Sequence, residues 1–249
     1  MRIDATTVVL VTGSSRGIGA EVARLAAQRG ARVLVHGRHG APETAGRIGA
    51  TSLAADLADP DGPRRLYQHA EQVHGRVDVI VHNAGVGAYA SLPEHTPQRV
   101  ETLLRLNLHA PIELTRLSLP AMLARRRGHH SYLASIAGLL GVARESAYSA
   151  SKFGLVGFAQ AIRLETSGSG VETSMICPGA VATEFFTGRG AAYDRRFPRP
   201  VSAHRVARLT LRAIERNRAR TVVPRWLAIA PAVASTLPGV YGPLAERFG

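Results

Sequence analysis

One junction near the N-terminus constrains the fold more than any other stretch. Thr7-Val8-Val9-Leu10-Val11 is an unbroken β-prone apolar run, the pattern of a strand buried on both faces. Thr12-Gly13-Ser14-Ser15-Arg16-Gly17-Ile18-Gly19 follows at once, and Ala20 to Arg29 then reads as a helix. Glycines in such a turn permit a tight reversal and close backbone approach. The free N–H groups and dipole of the new helix favour a phosphate. Gly13, Ser14, Ser15, Arg16, Gly17, Ile18 and Gly19 are therefore candidate contacts for a phosphorylated cofactor.

The alternation continues. Gly30 stops the helix and Arg32 to His36 reads as a second strand. A dinucleotide fold that prefers NAD carries a carboxylate near this point for the ribose 2′-OH. Here stand His36-Gly37-Arg38-His39, with no acid. Arg38, with Arg16, would instead pair with a 2′-phosphate, so NADP is expected over NAD. A short helix over Glu43 to Ile48 and a strand over Thr51 to Ala54 come next. Asp56 and Leu57 are placed to hold an adenine. A helix is expected from Pro60 to His74, and a strand from Val77 to His82 that runs into Asn83-Ala84-Gly85. Small residues there let a cofactor lie against the backbone. Pro97 to Arg127 is helical with a kink tolerated at Pro111, and Asn107 lies inside it, where propensity disfavours asparagine.

His129 to Ala134 is the fifth strand, with Ser135 at its end. Ligands of open parallel sheets bind outside the carboxyl ends of the strands, which puts Ser135 at a cleft. Thirteen residues later comes Tyr148-Ser149-Ala150-Ser151-Lys152 on a helix. Residues four apart share a helix face, so the phenol and the ammonium project together. A nearby cation lowers a phenol pKa, which suits proton transfer to a substrate oxygen. Lys152 is the only lysine among 31 basic residues, and arginine is no equivalent for it. Val171 to Ile176 is strand six, after which Pro178-Gly179-Ala180-Val181-Ala182-Thr183 leaves at the same cleft edge. An irregular 184–201 loop, a helix capped by Ser202, a last strand over Thr221 to Val223 and an apolar, proline-broken tail over 224–249 complete the chain.

Bulk properties exclude several classes. A single cysteine, Cys177, rules out an intrachain disulfide framework and fits a reducing compartment; as a buried small hydrophobe it is no nucleophile. No targeting segment or run of 18 apolar residues is present, so a cytoplasmic protein is expected. Peripheral membrane contact by the tail stays open. No metal site is expected. The net charge of +13 invites a nucleic-acid reading, but the arginines are dispersed, with only Arg125-Arg126-Arg127 and Arg195-Arg196 clustered. Stacking aromatics are not interleaved with them, so no nucleic-acid partner is expected.

The Thr12–Gly19 turn, Asn83-Ala84-Gly85, Ser135 with Tyr148 and Lys152, and Pro178-Gly179 with Thr183 occur in that order. Together they resemble the short-chain dehydrogenase/reductase family over about residues 5 to 223. The resemblance implies an α/β fold: one Rossmann-type doubly wound domain over 1–249, with 224–249 as a C-terminal extension. It implies about seven parallel strands in the order 3-2-1-4-5-6-7, helices on both faces, and a homo-oligomer, dimer or tetramer. Tyr148 would be the general acid or base in hydride transfer between NADP(H) and a carbonyl/alcohol pair. Lys152 would lower the Tyr148 pKa and bind the nicotinamide ribose. Ser135 would hold the substrate oxygen, Asn107 a relay water, and Pro178, Gly179, Val181 and Thr183 the carboxamide. His82 departs from the family's usual Asn-Asn-Ala-Gly. The alternative is a catalytically silent nucleotide-binding regulator or scaffold on the same fold.

Overall fold

The computed structural model describes residues 1–194, 198–236 and 239. The strands are β1 (Val8–Val11), β2 (Arg32–Gly37), β3 (Thr51–Ala54), β4 (Val79–His82), β5 (Gly128–Leu133), β6 (Val171–Pro178), β7 (Val181–Ala182), β8 (Val201–Ser202) and β9 (Arg220–Val223). The helices are α1 (Gly17–Ala27), α2 (Pro42–Ile48), α3 (Gly62–His74), α4 (Pro97–Leu104), α5 (Ala110–Ala124), α6 (Ser146–Glu165), α7 (Phe185–Gly188), α8 (Ala203–Glu215) and α9 (Ile229–Thr236). Seven strands form one sheet in the order β3-β2-β1-β4-β5-β6-β9, every neighbouring pair parallel. That is the expected order, with β9 as the seventh strand.

Side chains alternate across a strand, and here the alternation splits the core. Val9, Val11, Val33 and Val35 pack with α1 and α8 on one face. Val8, Leu10, Leu34 and Leu53 pack with α3 and α5 on the other. The sheet also buries polar side chains, among them His129, His130 and Ser131 of β5, all fully buried.

Three expectations need correction. The helix expected from Pro60 starts at Gly62, with Pro63 in its first turn. Asp59 N bonds Asp56 O at 3.2 Å and Gly62 N bonds Asp59 O at 3.0 Å, so turns occupy the residues in between. The 97–127 run is two helices joined by a π turn, Arg105–His109, with Pro111 in the first turn of α5. Proline has no N–H to give to the ladder, and the wider turn falls just before it. Asn107 is the buried residue of that turn. The 184–201 loop contains α7 and ends in β8, which pairs with β7 through Val181↔Val201 and Ala182↔Ser202. Arg195, Arg196 and most of the tail beyond Thr236 lie outside the described residues. No helix among the described residues is long and apolar enough to cross a membrane.

Candidate active site

The carboxyl ends of β1, β2, β4, β5 and β6 open on a cleft of about 1930 Å³. Small-molecule pockets usually hold about 300–1,000 Å³, so this cleft has room for a dinucleotide and a substrate together. One half is the glycine turn. Gly13 has φ +63, and a Cβ there would fall 2.7 Å from Ala84 Cα, so the turn lies hard against the strand beside it. Ser15, Arg16, Gly17 and Ile18 line the cleft, as do Arg38, Asp56 and Leu57. Asp56 Oδ1 accepts from Ala58 N at 2.9 Å, and Arg38 donates through Nε to His39 Nε2 at 3.3 Å. Arg16 is paired with Glu184 just before α7.

Two turn residues face inward instead. Ser14 is buried and gives its hydroxyl to Val11 O at 2.8 Å. Gly19 sits beneath the turn, where a Cβ would come within 2.4 Å of Gly13 O and 2.5 Å of Asn83 Nδ2. Asn83 Nδ2 clamps the turn by donating to Thr12 O at 2.9 Å and Gly13 O at 2.8 Å. Gly19→Ala is therefore expected to destabilise the fold by about 1–3 kcal/mol through overpacking and to weaken nucleotide binding. Thermal melts with and without nucleotide check both effects.

The other half carries the reactive set. Asn83, Ala84 and Gly85 line the wall between the halves, and Pro178, Gly179, Val181 and Thr183 form the opposite lip. Thr183 Cγ2 stands 3.4 Å from where a Gly17 Cβ would be. Ser135 caps the turn after β5 by accepting from Ala137 N at 3.1 Å. The Ser135 hydroxyl also draws the Tyr148 phenol pKa down. Lys152 Nζ donates to Leu133 O at 3.0 Å and lies 5.7 Å from the Tyr148 ring centroid. Asn107 is fully buried behind them. It accepts from Val86 N and donates to Val86 O, each at 2.9 Å, and donates to Ser151 Oγ at 3.2 Å. Both amide protons are thus engaged by protein.

The electrostatics correct one expectation. Burial, not Lys152, dominates Tyr148: it pushes the phenol pKa up, with Glu145 adding to the rise, and Lys152 is not among its causes. The ammonium instead turns to the Leu133 carbonyl, and burial brings its own pKa down to about 8. A tyrosine so held is a protonated donor near neutral pH. Cys177 is buried, its thiol pushed up to about 12, as befits a core residue.

Residue spacing gave no sign of several supporting groups. His36 accepts from Gly13 N through Nδ1 at 3.2 Å, and Nε2 meets Ala55 O at 2.9 Å. The end of β2 was readable as the absence of an acid, not as a brace for the turn. Thr12 Oγ1 accepts from both Asn83 N and Ala84 N at 3.0 Å. Glu145 and Arg189 pair above Tyr148, a contact spanning forty-four residues that no local motif encodes.

Comparison with known proteins agrees with this geometry. The family described as short chain dehydrogenase matches residues 7–194. The ketoacyl reductase HetN of Nostoc sp. is 34% identical over 227 residues, covering 86% of this chain and 77% of that protein. The D-beta-hydroxybutyrate dehydrogenase of Cupriavidus necator is 34% identical over 181 residues, covering 70% of each chain. A crystal structure of a metagenomic short-chain oxidoreductase in complex with NADP superposes with a TM-score of 0.75 at 30% identity, covering 88% of this chain and 96% of that one. With a Rossmann-type sheet, a glycine turn and a cleft of this form, the chain belongs to the short-chain dehydrogenase/reductase family and is an oxidoreductase built to bind a nicotinamide cofactor.

Proposed function

We propose that the protein is an NADP(H)-dependent reductase of a carbonyl to its alcohol, with Tyr148 as the proton donor. The observation that carries the reading is the cluster of a protonated phenol, the Ser135 hydroxyl and the Lys152 ammonium at one end of the cleft. When bound, the nicotinamide supplies the hydride. Ser135 and Tyr148 hold the carbonyl oxygen between two O–H groups, so charge that develops there meets donors already in place. Tyr148 gives its proton to that oxygen and regains one from water. Lys152, held by the Leu133 carbonyl, binds ribose hydroxyls. Asn107 fixes the backbone at Val86 and the Ser151 hydroxyl beneath the catalytic helix. Gly13 to Gly19, Arg38, Asp56 and Leu57 hold the adenosine half, and Pro178 to Thr183 the carboxamide.

NADP is proposed over NAD because Arg16 and Arg38 line the cleft where β2 ends, and residues 36–39 include no carboxylate. A charge-assisted hydrogen bond contributes roughly 1.5–3 kcal/mol. Arg38→Ala, and to a lesser degree Arg16→Ala, should therefore raise KM for NADPH about 10- to 100-fold and leave NADH kinetics nearly unchanged. Initial rates with both nucleotides on a panel of ketones and ketoacyl compounds make the test. The two relatives above are named for ketoacyl and β-hydroxybutyrate chemistry, which makes those substrates the first to try. Equal kcat/KM for NADH and NADPH in the parent enzyme would remove the NADP reading. A panel in which nothing oxidises NADPH, with nucleotide still bound, would remove the reductase.

A further inference from the structure

Two segments far apart in the chain bring apolar side chains to the substrate end of the cleft. Val142 and Phe185 pack against the cluster that holds Tyr148, and the Phe185 ring centroid lies 5.7 Å from that of Tyr148. Phe186 follows, edge-on to Phe185 at 5.9 Å, and lines the cleft with it. The second segment comes after β9. A Cβ on Gly179 would fall 2.5 Å from Leu227 Cδ1, and Gly179 N donates to Val223 O at 2.8 Å. The Arg225–Ala228 turn is therefore docked hard against the lip of the cleft. Trp226 in that turn, then Ile229 and Val233 in α9, line the same cleft. Their spacing of three and then four residues is that of one helix face. Leu227 is buried, whereas Trp226 is 44% and Ile229 64% exposed. Large apolar side chains left open to water inside a concave site mark a surface that an apolar ligand would cover.

We propose that the substrate is a ketone carrying an extended hydrocarbon chain, and that this chain lies along Phe185 and Phe186 of α7 and then along Trp226, Ile229 and Val233. The proposal rests on the carbonyl reductase reading above and names its substrate class. Ser135 and Tyr148 fix the oxygen, and the two apolar stretches take the rest of the molecule. Apolar burial has no direction and scales with the area removed from water, so such a site selects by chain length and not by a second functional group. A short ketoacid such as acetoacetate would meet the two hydroxyl groups and leave α9 wet.

The test is kcat/KM with NADPH across the methyl ketones butanone, hexanone, octanone and decanone, with acetoacetate beside them. Each added methylene should raise kcat/KM about threefold until the chain reaches beyond α9. Ile229→Asp, at a position open to solvent, and Phe186→Ala should each lower the decanone-to-butanone ratio about tenfold. A ratio is blind to a general loss of folded enzyme. Trp226, the only tryptophan, gives a second readout without turnover. Its fluorescence should titrate with decanol at a Kd on the order of 10²- to 10³-fold below that for butanol. A flat profile across the series, a higher kcat/KM for acetoacetate than for decanone, or an unchanged ratio in either variant overturns the proposal. If no ketone oxidises NADPH while Trp226 still titrates with chain length, the apolar subsite holds and the reductase reading falls. A flat series that turns over does the reverse.

Discussion

Replacing Tyr148 with phenylalanine is expected to lower kcat by about 10²- to 10⁴-fold, the usual contribution of a positioned general acid, with nucleotide affinity unchanged. The selectivity of that loss follows from where the phenol sits. Its ring packs against Ala88, Leu103 and Ala137, contacts that phenylalanine keeps. Only the hydroxyl disappears, and it faces Ser135 and the cleft. The nucleotide half of the cleft, from Gly13 to Leu57, does not touch it. Stopped-flow reduction of a ketone, paired with nucleotide titration, separates the two effects. Because burial keeps the phenol protonated, reduction by the parent enzyme should be nearly flat through neutral pH. A Tyr148→Phe enzyme with kcat within a factor of a few of the parent would mean that some other group delivers the proton.

Much of this was readable in the chain, for a physical reason. Strand, glycine turn and helix are local, and each announces itself by period or by a residue with special backbone freedom. Thus Val8–Val11, the 13–19 turn and the Tyr148–Lys152 spacing all lie where the pattern puts them. Quantities set by tertiary packing were not readable. The sign of the Tyr148 shift depends on how deeply the ring is buried and on where the Lys152 ammonium turns. A helical spacing fixes neither, and the Leu133 carbonyl takes the ammonium. Ser14 and Gly19 share the turn's sequence signature with Ser15 and Gly17, yet they serve the turn's own construction. His36 and the Glu145–Arg189 pair act across gaps of nineteen to forty-four residues, where no periodicity operates. Even so, the residues that brace were as necessary as those that face the cleft, since Asn83 and Thr12 hold the turn in the form the cofactor requires.

The second large effect lies outside the cleft and concerns acid. His82, at the end of β4, stacks on Tyr132 with centroids 4.5 Å apart and shares a 3.1 Å contact, Nε2 to Nδ1, with His130. His129, on the opposite face, meets Ser174 Oγ at 3.0 Å. All three rings are buried, and among the described residues His82 Nδ1, His130 Nε2 and His129 Nδ1 have no partner to accept a second proton. Burial holds His129 and His130 down to about 3, and His82 well below its ordinary range. A base whose pKa is depressed by folding binds its proton in the unfolded chain first. The stability these residues allow is therefore complete above about pH 6.5 and is lost progressively as pH falls toward 3. At pH 5 the loss is about 2 kcal/mol for each of His129 and His130, before His82 is added, against a total stability of about 5–15 kcal/mol. Carboxylates such as Glu21 and Glu113 are held below the usual carboxylate range by the Arg24 and Arg116 guanidinium groups, so their contribution persists through this window. Lys152, at about 8, stays protonated across it in both states. The loss between pH 6.5 and 5 is thus a histidine effect. It should appear as a fall in Tm of roughly 10 °C that shrinks in a His130→Gln variant, where one imidazole no longer competes for a proton. A melting temperature that holds steady from pH 7 to 5 would mean that these rings are protonated within the fold, and that water or a rearranged Tyr132 supplies the acceptor the sheet lacks.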